Sequence, residues 1–338
     1  MRGLISASLN VFFFSYFIRI SAEKFHMVLG KGSIGRKLLG ATGLIGSLAI
    51  GGGYFTYQRR LKENRSCTAE EFNAAQNQEE LSWALSHLRN PKEHPQILLY
   101  RYSTCPFCGT AKALLDYAKI PYECVEVEPM FKKEISSFAY KKVPQLQFNV
   151  HGYNGPLVVD SEIIVSTLAK HVGMEKQLKD PEVVKWREWA RGPMVRLLTL
   201  EFNSSLYRAW CGYSYINNID TIPYANKLFL KIVGAPVMYL VSQYITRPRL
   251  LKSGHLHEGE DVKGRLHGEI NTFIEKALLG GKKKFHGGSK PDLADLDTYG
   301  VLQSVRGHRV YEEIVQSTPI KPWLDSMDKE VGHVSHHG

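Results

Sequence analysis

The stretch Ile97-Leu98-Leu99-Tyr100-Arg101-Tyr102-Ser103-Thr104-Cys105-Pro106-Phe107-Cys108 runs from an apolar, strand-like segment through a polar turn into two cysteines. Gly109 to Ala118 then reads as the continuation of a helix. Pro106 suits the first helical position, where its missing N–H costs nothing. Cys105 therefore stands just before the first turn, facing unsatisfied backbone N–H groups and the positive end of the helix dipole. That setting favours a thiolate. Cys108 is three residues further on, so it shares a helix face with Cys105 and is within its reach.

Such a motif reads as a thioredoxin-like redox or glutathione site. Half of a zinc site is the alternative, but the chain has no second CxxC and no histidine close by in sequence. The other cysteines are Cys67, Cys124 and Cys211, an odd total that does not match a secreted disulfide framework. They are expected to be inert thiols. A reducing compartment, cytosol or matrix, fits this usage.

The chain has 338 residues and a formal charge of +10, with 43% hydrophobic residues, enough for ordinary packed cores. Residues 1–65 hold ten Lys/Arg against two acids, so the positive excess belongs to the N-terminal region. Nucleic-acid binding by the remainder is therefore not expected. Residues 1–37 are basic, poor in acids and rich in Ser and aromatics, as a mitochondrial targeting segment is. Val11–Ile18 could instead be the core of a secretory signal, which the cysteine usage argues against. Residues 38–57 carry no charge, and at about 1.5 Å per residue twenty residues just span a bilayer. A transmembrane helix is expected there, with a Gly-rich part of a cleaved presequence as the alternative. Basic residues flank both ends, so the segment is not oriented by charge. Residues 58–95 are polar and read as a linker, with a helix-like piece around Glu79–Leu88 that ends near Pro91.

From residue 96 to 173 the pattern is strand Ile97–Tyr102, helix Pro106–Ala118, strand Tyr122–Val127, short helix Phe131–Tyr140, strand Gln145–Asn149, strand Pro156–Val159 and helix Glu162–His171. That alternation predicts an α/β domain with a mixed sheet. Residues 181–331 show helical periodicity instead. Tyr224–Ile245 is largely apolar and reads as a buried core helix in preference to a membrane-dipping segment, with Pro236 set to break or kink it. Asp292 and Asp295 have the spacing of a capping box with Asp in place of Glu or Gln. Val143-Pro144 precedes a strand roughly opposite the CxxC, where a proline is often cis. Asp160-Ser161 precedes a helix, and polar groups at a helix start suit N-capping or a carboxylate ligand.

YSTCPFC (102–108), KKVPQL (141–146), VVDSEII (158–164) and GGSKPDLADLDTYGVL (287–302) together resemble the glutathione transferase superfamily, over about Ile97–Asp328. The resemblance implies an α/β thioredoxin-like (glutaredoxin-like) domain followed by an all-α glutathione transferase-like C-terminal domain. It implies glutathione as cofactor, haem beside it in some members, and a pocket for a lipid endoperoxide. The implied reaction is the thiol-dependent isomerisation of prostaglandin H2 to prostaglandin E2. Carried over by matching position, Cys105 is the reactive thiol, Tyr102 and Phe107 line its pocket, and Val143, Asp160 and Ser161 contact glutathione. By the same matching, Tyr102 and Cys108 join Cys105 as candidate catalytic residues, and Pro144 joins the residues that bind glutathione or substrate. The implied partners are the endoperoxide, a membrane through the N-terminal segment (mitochondrial or Golgi) and a second copy in a homodimer. Met174–Lys185 departs from the pattern by being shorter than the insert of other members. A glutathione-dependent thiol-disulfide oxidoreductase and a non-enzymatic, membrane-anchored partner protein, as in the metaxin or intracellular chloride channel families, are the competing readings.

Overall fold

The structure, a computed structural model, describes residues 67–332 apart from 76, 77, 89, 91, 92, 130, 151 and 221. The expected targeting segment and span lie outside these residues.

Two helices open the described part, α1 (Ala69–Ala75) and α2 (Gln78–Ser86). They occupy the stretch read as a linker, and Phe72, Leu81, Ala84, Leu85 and Leu88 are buried in the main core. The reason is visible in the spacing: Leu81, Ala84, Leu85 and Leu88 recur at the period of a helix face, within an otherwise polar composition.

Next come β1 (Gln96–Arg101), α3 (Pro106–Tyr117), β2 (Glu123–Glu126), β3 (Gln145–Val150), β4 (Tyr153–Val159) and α4 (Ser161–His171). The sheet has order β2-β1-β3-β4, with β1 and β2 parallel and the other pairs antiparallel. β1 is paired on both edges, which explains its near-continuous apolar run. Ile97, Leu99, Leu146, Phe148 and Val158 are fully buried, each contributing about 1.5–3 kcal/mol. The short helix expected over Phe131–Tyr140 is one tight turn, Lys133–Ile135, and the rest of that stretch is loop. Its irregular course is held by Lys141, whose ammonium donates to the carbonyls of Ser136 at 2.6 Å and Ile135 at 3.3 Å.

The helical part comprises α5 (Pro181–Trp189), α6 (Val195–Phe202), α7 (Leu206–Gly212), α8 (Tyr224–Val241), α9 (Arg247–Lys252), α10 (Val262–Thr272), α11 (Leu293–Gln303), α12 (Arg309–Ser317) and α13 (Lys321–Val331). Helix α11 is buried from Leu293 to Leu302. It begins with the capping box read from sequence: Asp292 accepts from the Asp295 N–H while Asp295 accepts from the Asp292 N–H. Helix α8 runs through Pro236 unbroken, and wider helical turns fall instead at Ala190–Met194 and Ser242–Thr246. Pro236 lies on the exposed side of the helix. The expected burial of α8 does not hold: apart from Leu230 and Ala235, its residues are exposed or half-buried.

Helices α3 and α11 cross where two glycines meet. A Cβ on Gly109 would lie 2.0 Å from the Gly300 carbonyl oxygen, and one on Gly300 would lie 2.3 Å from that of Gly109. Both obstacles are backbone, so no side chain can yield. Gly109→Ala should therefore destabilise the fold by about 1–3 kcal/mol, the range for overpacking. Thermal unfolding checks this, and an unchanged midpoint would mean that the helices part freely.

Candidate active site

Sequence spacing alone set Cys105 before a helix; the backbone makes it the N-cap of α3, with φ −87° and ψ 115°. Its sulfur accepts from the Cys108 N–H at 3.4 Å. The turn before it is closed by the Cys105 N–H donating to the Tyr102 carbonyl at 3.0 Å, and the Ser103 N–H donates to Glu126 at 3.0 Å. Glu126 is itself paired with Arg101 at 2.6 Å. Strand β2 thus fixes the loop that presents the thiol.

The two cysteines are pushed apart in acidity. A hydrogen bond from the Cys108 thiol, helped by the backbone N–H groups of Cys108 and Phe107, lowers the Cys105 pKa despite its burial. Burial, followed by the neighbouring Cys105 sulfur, pushes Cys108 well above the ordinary thiol range. Cys105 is therefore the more acidic of the two thiols, and Cys108 the one that keeps its proton and donates it. Alkylation of Cys105 by iodoacetamide should accordingly titrate below the ordinary thiol value. Cys108→Ala removes the leading cause, so it should move that midpoint upward; mass-spectrometric rate profiles against pH measure both. A midpoint unmoved by the substitution would assign the lowering to the helix start alone.

Register brings the other sequence-predicted residues to the same end of the sheet. Tyr100 pairs with Gln145, so Val143-Pro144 lies across from Arg101-Tyr102. Gln145 pairs with Val159, which sets Asp160-Ser161 at the end of the next strand. The Val143-Pro144 bond is cis. Asp160 has φ +72°; its carboxylate accepts from the Glu162 N–H at 3.1 Å and the Tyr140 hydroxyl at 3.3 Å. The Ser161 hydroxyl accepts from Arg191 at 2.9 Å. Phe107 is partly exposed on the first turn of α3.

A cavity of about 420 Å³ opens beside Cys105. Of the predicted residues, Tyr102 and Cys105 line it; Phe107, Cys108, Val143, Pro144, Asp160 and Ser161 do not. Thr104, Pro106, Pro129 and Lys132 complete its wall on the sheet side, and the rest is largely apolar and comes from the helical part, among it Leu198, Phe202, Tyr213, Tyr215, Val237 and Met238. Burial raises the Tyr102 pKa and pushes Tyr215 well above the phenol range, so both stay protonated and able to donate. Tyr213 and Tyr215 had not been singled out from sequence. The signal was the aromatic run around Cys211, whose placement over the thiol depends on the helical packing.

A thioredoxin-like sheet with Cys105 capping its first helix, joined to a helical part that walls an apolar cavity beside it, defines a glutaredoxin-like domain carried on a helical one. A family model described as Glutaredoxin matches residues 97–151. Over most of its length the chain is similar to two proteins named prostaglandin E synthase 2. It is 29% identical to prostaglandin E synthase 2 of Mus musculus over 359 aligned residues, covering 93% of this chain and 86% of that protein. It is 28% identical to prostaglandin E synthase 2 of Danio rerio, covering 71% of this chain and 72% of that protein. Glutaredoxin 1 of Rickettsia felis is 38% identical over 61 residues. The solved glutaredoxin 2 of Salmonella typhimurium, in complex with glutathione, covers 70% of this chain and 95% of its own, at 17% identity and a TM-score of 0.40.

Proposed function

We propose that the protein isomerises prostaglandin H2 to prostaglandin E2 by thiolate chemistry at Cys105, with glutathione held at the adjoining end of the sheet. The observation that carries this reading is the placement of the Cys105 thiolate at the wall of an apolar cavity whose volume suits a small-molecule ligand. The names of the two long relatives supply the product, a prostaglandin E.

The chemistry balances without an external oxidant or reductant. A thiolate attacks the endoperoxide oxygen on C9, forming an S–O bond and breaking the weak O–O bond. The second oxygen leaves as an alkoxide and takes a proton to become the C11 hydroxyl. Loss of the C9 proton then forms the C9 ketone and expels the sulfur as thiolate. Activation through a lowered thiol pKa is the general logic of such a nucleophile. Tyr102, kept protonated by burial, is placed to donate to an oxygen of the substrate.

The donor set suits glutathione. An extended edge at Val143, a helix start at Ser161 and the carboxylate of Asp160 offer backbone, hydroxyl and charge to a short peptide with a zwitterionic end. Asp160→Ala should weaken glutathione binding by about 1.5–3 kcal/mol, roughly ten- to a hundredfold. Calorimetry measures it; unchanged affinity in a folded variant would leave Asp160 with its capping role alone. Haem would supply a redox-active iron, for which Cys105 is the suitable donor in the cavity wall. A thiolate bound to iron is not free to attack, so that role and the nucleophile's role exclude each other.

The glutaredoxin match supports a second reading, thiol-disulfide exchange with glutathione through a Cys105–Cys108 disulfide. Purified protein given prostaglandin H2, and separately a glutathione mixed disulfide, decides between them by the product formed. Absence of prostaglandin E2 above the uncatalysed rate would reject the first reading. The expected N-terminal span, homodimer and mitochondrial or Golgi membrane remain parts of this proposal.

A further inference from the structure

Several buried or half-buried phenols in this fold have partners. The hydroxyl of Tyr100 donates to Gln147 at 3.1 Å, that of Tyr122 to Asp116 at 2.8 Å and that of Tyr140 to Asp160 at 3.3 Å. The Cys105 cavity is different. Tyr102, Tyr213 and Tyr215 all line it, and none of their hydroxyls bonds to a described residue. A phenol that the fold leaves unpaired at a cavity wall is a donor kept for a ligand.

The three phenols differ in where they stand. Tyr102 leads into the Cys105 turn, on the sulfur's side of the cavity. Tyr213 and Tyr215 come from the tight helical stretch Tyr213–Asn218, on the helical side. The Tyr213 hydroxyl lies against α8, where a Cβ on Gly234 would be 2.6 Å from it. Charge on the Cys105 sulfur acts on Tyr215, whereas Tyr213 feels Glu128. Other polar side chains of the helical wall are already bonded. The Thr199 and Ser304 hydroxyls donate to the Val195 and Val301 carbonyls, each at 2.7 Å, and the Asn203 amide donates to the Thr199 carbonyl at 2.9 Å. Tyr215 is therefore the hydroxyl that the helical wall offers to a ligand beside the thiol.

Displacement at a peroxide oxygen runs in line, with the sulfur and the departing oxygen on opposite sides of the atom attacked. With the sulfur on the sheet side, the departing oxygen points across the cavity to the helical wall. We infer that Tyr215 is a catalytic residue of the proposed isomerisation, its hydroxyl protonating the departing oxygen on C11. The inference rests on the proposed function. As the S–O bond forms, the O–O electron pair moves to the C11 oxygen, which takes the Tyr215 proton and becomes the hydroxyl. The C9 proton then passes to the phenolate, directly or through solvent, and restores the phenol. The C9–H pair forms the C9 carbonyl, and the S–O pair returns to sulfur. No co-reactant is needed. Burial raises the Tyr215 pKa, yet an alkoxide is more basic still, so the transfer runs toward the substrate. A donor fixed on one side also selects the product, because attack on the C11 oxygen would give the C11-ketone isomer instead.

The test is single turnover of prostaglandin H2 by the full chain in excess, scoring products above the uncatalysed rate. Tyr215→Phe removes the hydroxyl and keeps the ring that packs on the Ile216, Ile219 and Leu230 cluster. The rate should fall by about a hundred- to a thousandfold, the range for one lost oxyanion donor, with substrate affinity little changed. The share of C11-ketone isomer should rise, and alkylation of Cys105 should keep its wild-type rate. A merely structural role would move affinity and alkylation and leave the isomer ratio alone. Full rate in Tyr215→Phe, or an unchanged isomer ratio, would overturn the inference and leave the Cys105 reading standing. No prostaglandin E2 from the wild type would reject that reading and the inference together. If Tyr215→Phe does not fold, the wild type in heavy water decides: a proton moved during O–O cleavage slows the turnover, and equal rates in the two waters would overturn the inference.

Discussion

Cys105→Ser should lower the rate of prostaglandin H2 isomerisation by at least about a hundredfold, while Cys108→Ser keeps most of it. An alcohol is far less ionised than a thiol near neutral pH, and the N-cap position that stabilises the Cys105 thiolate cannot bring a hydroxyl into that range. Cys108 acts differently. It is buried, its pKa is raised, and its thiol donates to Cys105. Serine at 108 can donate the same hydrogen bond, and no disulfide forms during isomerisation. Dithiol exchange predicts the other outcome, damage from either substitution, because turnover would then pass through a Cys105–Cys108 disulfide. Glutathione brings its own thiol, so each variant is assayed with and without it. Full isomerase rate in Cys105→Ser without any added thiol would show that Cys105 is not the nucleophile.

What the sequence made legible follows from how local each signal is. The thiol helix was readable because Pro106, the CxxC spacing and the apolar run before it all act within a dozen residues. The capping box at Asp292 and Asp295 was readable for the same reason. The helix-like piece around Glu79–Leu88 was readable from its apolar spacing, while its burial in the main core was not, because the composition around it is polar. The exposure of α8 was beyond reach: a helix buried all round and one with an apolar face left exposed share the same hydropathy, and only the packing of Leu230, Gly234 and Ala235 shows which face is covered. The cavity walls at Leu198, Tyr213 and Val237 come from segments far from Cys105 in sequence, so no local pattern could join them.

Arg187→Met should destabilise the protein more than any surface change, by about 3–5 kcal/mol near neutral pH. Arg187 is 5% exposed and Asp297 1%; the guanidinium donates to the Asp297 carboxylate at 2.8 Å and to Glu162 at 3.1 Å. The pair holds α5 to α11, and through Glu162 to the start of α4. Burial raises the Asp297 pKa above the ordinary value, and Arg187 is the first group opposing that rise. Removing Arg187 leaves a carboxylate in the core without its hydrogen-bonded cation, so the Asp297 pKa climbs further. A carboxyl whose folded-state pKa exceeds its unfolded value costs stability as pH rises through the folded value, because the unfolded chain releases the proton more readily. The loss in Arg187→Met should therefore be largest at slightly alkaline pH and shrink on acidification. Adding Asp297→Asn should recover part of it, since the uncompensated charge is gone and the two changes are not additive. Denaturant unfolding of the single and double variants at two pH values measures all three terms. Glutathione affinity provides a further check, because the start of α4 carries Asp160 and Ser161 and is steadied by the same guanidinium. A loss that grows on acidification would show that Asp297 is not the group left exposed to the penalty, and that Arg187 contributes mainly through its packing between the helices.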